Sequence, residues 1–168
     1  MNAAPTVLLL ALSAAAAQTT APTTPAPIQS GPAQANPTQA MTGRTGQLST
    51  RLGQLVGDVF VKVRAAAQSG DVSALRVNCA RWQSNLQPLS ALDAPEFTDF
   101  LTPANWAENP KLFDWIVNLR HLYADAGIAV GAACAPTPPE QAGLLTVYAI
   151  ISNAYGVNRQ MALQLQGR

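Results

Sequence analysis

The sequence predicts an all-α domain, a bundle of four main helices with one or two short ones, stapled by one disulfide. Three observations carry that prediction. Apolar residues recur every three to four positions from Leu48 onward, the spacing of one helix face. Neither convincing period-two alternation nor an Asn-Gly or Asp-Gly hairpin signal occurs, which argues against strands. Cap residues followed by proline recur where one helix would give way to the next.

The first helix carries Leu48, Leu52, Leu55, Val56, Val59, Phe60, Val63, Ala66 and Ala67 on its inward stripe. Gly53 and Gly57, four apart, suit the close approach of a neighbouring helix. Gly70 fits a C-terminal stop, and Asp71 is expected to cap a second helix with Val72, Leu75, Cys79, Trp82 and Leu86 inward, ending before Pro88. Asp93-Ala94-Pro95-Glu96 reads as the opening of a short helix with Phe97, Phe100 and Leu101 inward. Thr102-Pro103 and Asn109-Pro110 repeat the motif. The second of these opens a longer helix with Leu112, Trp115, Ile116, Leu119, Leu122, Tyr123 and Ala126 inward, which Gly127 is expected to end or loosen. Thr137-Pro138-Pro139-Glu140 reads as a capping box before the last helix. Its stripe is Leu144, Leu145, Val147, Tyr148, Ile151, Ala154 and Tyr155, with a bend expected at Gly156 before Met161 and Leu165.

Ahead of these helices the composition changes. No charged side chain precedes Arg44 and no aromatic precedes Phe60. Residues Val7 to Leu12 are apolar, and Ala15 and Ala17 fit the small-residue rule for cleavage before Gln18. The leader lacks the Lys or Arg that usually precedes such a stretch. It is also shorter than the ~20 apolar residues that a membrane span requires. The expected organisation is a signal peptide over 1–17, a disordered Thr/Pro/Ala/Gln-rich linker over 18–42 and a helical domain over 43–168. No Cys precedes Cys79, so no lipid anchor is expected, and the short apolar stretch leaves no membrane span expected either. The address is outside the cytoplasm: periplasm, cell envelope or extracellular space.

Ten Lys and Arg stand against nine Asp and Glu, a net charge of +1 that argues against a nucleic-acid partner. The charge is uneven: six basic and two acidic side chains lie between 41 and 88, two basic and six acidic between 89 and 125. In an exported chain the two cysteines, Cys79 and Cys134, permit one intramolecular pairing, a structural disulfide. Without a C-x-x-C motif a redox role has little support, and without C-x-x-C-H a c-type haem is excluded.

Candidate sites are few. His121, the single histidine, shares a polar helix face with Asp114, Asn118 and Asp125, which reads as solvated rather than as a metal site. No metal and no cofactor are therefore expected. No G-x-S-x-G elbow occurs, and no catalytic residue is assigned. Trp106 and Phe113 fit the inward stripes poorly, and with Asp93, Glu96 and Asp99 they form the candidate partner surface. The functional expectation is a secreted or periplasmic, non-catalytic helical module that binds an envelope or extracellular protein or a wall component. The alternative is a small exported enzyme or ligand carrier that uses the bundle interior.

Overall fold

The computed structural model describes residues 37–137 and 139–167. The leader expected over 1–17 and linker residues 18–36 lie outside the described residues. Six helices follow in order: α1 (Pro37–Ser69), α2 (Ser73–Ser90), α3 (Pro95–Thr98), α4 (Pro103–Glu108), α5 (Pro110–Ala133) and α6 (Gln141–Leu165). The four long ones form the bundle. α1 lies along α6, α2 along α5, and α5 also packs against α1 and α6.

Packing rather than propensity holds α1 together. Gly43, Gly46, Gly53 and Gly57 each weaken a helix interior by about 1 kcal/mol relative to alanine. Against that, Leu48, Leu52, Val56, Val59 and Val63 are buried, each contributing about 2 kcal/mol. Their partners include Ile116, Leu119, Tyr123, Leu144 and Ile151, all in the same core.

One buried polar layer crosses this core. Ser49 Oγ donates to Asn158 Oδ1 at 2.9 Å, and Asn158 Nδ2 donates to the Ser49 carbonyl at 2.9 Å. Gly53 makes room for that reach, since a Cβ there would lie 3.0 Å from Asn158 Nδ2. Beside this pair, Tyr123 Oη donates to the Leu48 carbonyl at 2.9 Å. Burial pushes the Tyr123 phenol well above its ordinary pKa, and the charges of Arg51 and Arg44 only partly oppose it.

The all-α class, the long and short helices and the disulfide are as the sequence predicts, but several boundaries differ. α1 begins at Pro37, so residues 37–42, expected in the linker, are helical. Pro37 suits a first helical position, and Met41, 2% exposed, extends the inward stripe one turn upstream. α2 runs through Pro88 to Ser90 because Leu86 and Leu89 are buried and hold the last turn in place. At its start Val72 stands at the cap position, while Asp71 Oδ1 accepts from the Ser73 N–H at 2.8 Å.

The expected caps divide into two groups. Thr102 and Asn109 perform as expected, accepting from the Asn105 and Leu112 N–H groups at 3.2 and 3.1 Å. Asp93 does not cap α3, whose cap position is Ala94 with no side-chain bond. The capping box at Thr137 does not form either. Glu140 is extended, with ψ 168°, so it precedes the helix instead of reaching back from its third position.

Gly127 neither ends nor loosens α5; it lets α2 approach, because a Cβ there would lie 2.7 Å from Ser90 Cβ. Gly156 likewise leaves α6 continuous to Leu165. Leu145 is 54% exposed rather than inward, since Leu144, Val147 and Ile151 take the core-facing positions of α6.

Candidate functional site

Two surface regions gather unpaired chemistry. The first is a groove between α1 and α2 with a cavity of about 230 Å³. Its α1 wall carries Arg51, Gln54 and Asp58, spaced three and four residues apart so that they share one helix face. Its α2 wall carries Arg81 and Asn85, one turn apart, and Leu55 and Trp82 form an apolar floor.

Asp58 anchors one end of this groove. It pairs with Lys62, accepts from Arg81 Nη2 at 2.5 Å and accepts from the indole Nε1–H of Trp82 at 2.7 Å. Partial burial raises the Asp58 pKa. The hydrogen bonds from Lys62 and Trp82 and the charges of Lys62 and Arg81 outweigh that effect, leaving the carboxyl below its ordinary value. Arg81 also donates to Asn78 Oδ1 at 2.9 Å, which fixes its guanidinium over the groove.

The other end of the groove is looser. Arg51 Nη2 reaches the Asn85 carbonyl at 3.5 Å, the limit of a hydrogen bond. Sequence reading missed this groove. The polar run Arg51, Gln54, Asp58 was visible on α1, but only the packing of α1 on α2 sets Arg81 and Asn85 opposite it.

The second region is the corner formed by α3 and α4, where the sequence placed the candidate partner surface. Trp106 is 58% exposed, as its poor fit to any stripe suggested. Phe113 is half-buried and packs against the core, and no Trp106–Phe113 ring contact exists among the described residues. The other large apolar side chain exposed on this stretch is Leu92, 52% exposed, which sequence reading did not single out. Asp93 and Asp99 are exposed and Glu96 is half-exposed. Among the described residues these three carboxylates and Glu108 make no ion pair, since both salt bridges belong to Asp58. Asn105 Nδ2 donates to the Phe100 carbonyl at 2.8 Å and ties α4 to the segment after α3.

The polar face of α5 stays dispersed. Asp114, Asn118, His121 and Asp125 are all exposed, and among the described residues no three His, Cys, Asp or Glu gather as metal ligands. Lys111 on the same side places its ammonium 4.9 Å from the centre of the Trp115 ring, a cation–π contact. Cys79 and Cys134 are disulfide-bonded, with Cα atoms 5.6 Å apart, and join the first half of α2 to the residue after α5.

A third feature came from rings assigned to inward stripes. Phe60 lies 5.1 Å from Tyr148 and 5.7 Å from Tyr155 between ring centres, forming a half-buried aromatic seam where α1 meets α6. No protein-family model, curated protein or solved structure matches the chain.

Proposed function

We propose that this chain is an exported, non-catalytic helical module that binds a basic protein partner of the cell envelope or extracellular space through the α3–α4 corner. The observation that carries the reading is Trp106. It is a large aromatic side chain 58% exposed, on a stretch of chain that also carries the exposed Leu92 and four carboxylates, which make no ion pair among the described residues. No Lys or Arg occurs between Leu89 and Pro110, so this stretch of chain carries only negative charges. Among the described residues, the one cation that hydrogen-bonds to it is Arg120 of α5, which donates to the Leu92 carbonyl at 3.4 Å. An aromatic anchor of this kind provides desolvation at an interface, while the surrounding carboxylates steer a basic partner and make its association salt-dependent.

Export is supported by the apolar leader with its small-residue cleavage pattern and by the disulfide, which oxidising compartments favour. No described helix is long and apolar enough to cross a membrane. A surface site is favoured over the bundle interior because Leu52, Val56, Ile116, Leu119 and Ile151 fill the bundle axis.

Trp106→Ala tests this reading. A partner captured by the wild type from envelope fractions is expected to bind the variant about 2 kcal/mol more weakly, with an unchanged melting temperature. A lost melting temperature with binding intact would return Trp106 to the core and refute the corner as a docking surface.

A further inference from the structure

We infer that the α1–α2 groove binds a small organic anion, a carboxylate or a phosphate carried on a body with hydroxyl or amide groups. This inference is independent of docking at the α3–α4 corner. Internal pairing accounts for the Asp58 end of the groove, where Lys62, Arg81 and Trp82 all converge on one carboxylate. It does not account for Arg51. Among the described residues its guanidinium makes one hydrogen bond, at 3.5 Å, leaving most of its planar donor fork directed to no protein acceptor. The side-chain amides of Gln54 and Asn85 line the same cavity, and neither makes a hydrogen bond to the described residues. Two amides and most donors of one guanidinium therefore remain unpaired around one concave space.

Charge and shape narrow the ligand. Arg51, Lys62 and Arg81 outnumber Asp58, so the groove favours an anion and disfavours a cation. A guanidinium matches the two oxygens of a carboxylate or phosphate better than a point charge does. Gln54 and Asn85 offer both donors and acceptors to hydroxyl or amide groups on the ligand body. Leu55 and Trp82 provide a buried apolar floor for its faces. A cavity of about 230 Å³ has the size of a small organic acid or an acidic monosaccharide. Arg44, two turns before Arg51 on the same face of α1, adds a further positive charge along that face.

The test uses the isotope-labelled full chain with its disulfide intact, followed by nuclear magnetic resonance. Its probes are D-glucuronate, inorganic phosphate and, as the neutral control, D-glucose. The Trp82 indole N–H is the reporter because it lies in the groove and is held by Asp58. Saturable shifts at that signal with millimolar affinity are expected for at least one anion and not for glucose. A response to glucuronate alone assigns a carboxylate ligand, and a response to phosphate alone assigns a phosphate ligand. Arg51→Gln is expected to weaken binding about tenfold at an unchanged melting temperature. Gln54→Ala, on an exposed side chain, is expected to weaken it about threefold. Absence of saturation with both anions, equal binding of glucose, or affinity unchanged in Arg51→Gln would overturn the inference.

Discussion

Along α1 and α6 the helices meet through a buried hydroxyl–amide pair and an aromatic seam, whereas α2 and α5 are joined by a covalent bond and a glycine contact. The difference follows from the kind of bond, and chain distance sets its size. Ser49 and Asn158 are separated by 109 residues, and only native contacts offset the entropy of bringing them together. Cys79 and Cys134 are 55 residues apart, and their closure persists when the chain unfolds. The α1–α6 pair therefore exists only in the folded state. The α2–α5 pair is constrained in both states.

The largest expected effect is on the covalent side of this comparison. Cys79→Ala with Cys134→Ala should cost about 4 kcal/mol on the chain-entropy account of a loop this long, lowering the melting temperature by about 10–20 °C in calorimetry. A loss below about 1 kcal/mol would show that packing alone holds α2 to α5. A smaller effect is expected on the other side. Asn158→Ala strands the buried Ser49 hydroxyl and should cost about 2 kcal/mol in urea denaturation. Adding Ser49→Ala should recover part of that loss, because both polar groups are then gone.

Much of the core was legible because period is local. Leu52, Val56, Ile116 and Leu119 announce their burial through spacing alone, and two cysteines leave only one internal pairing. The start of α1 was not legible. Pro37 to Gln47 carries no strong apolar pattern and resembles the linker ahead of it, so its helical state rests on where Met41 packs. Asp93 and Glu140 illustrate the same limit at caps, since the residue types were right while the backbone turned at a different position. The groove was hidden for a related reason. Arg51 and Asp58 read as an ordinary polar face until α2 sets Arg81 and Asn85 across from them.

The smallest expected effect sits at the α1–α2 contact that links the two pairs. Asp58 has a folded pKa below its unfolded value, so its contribution is fully present above the ordinary carboxylate range and is lost as the pH falls through the lowered folded value. Melting temperatures recorded from about pH 6 down to about pH 2 should therefore fall more steeply for the wild type than for Asp58→Asn. Parallel curves would remove Asp58 from the forces joining the two pairs.

Under mechanical tension applied to α1 and α6, the load path follows the cysteine bridge. Force entering α1 and leaving through α6 crosses from Cys79 to Cys134 through sulfur, so the intervening segment that holds the second half of α2, α3, α4 and all of α5 bears none of it. A taut chain would peel α1 from α6 while the Trp106 corner, inside the closed ring, stays slack.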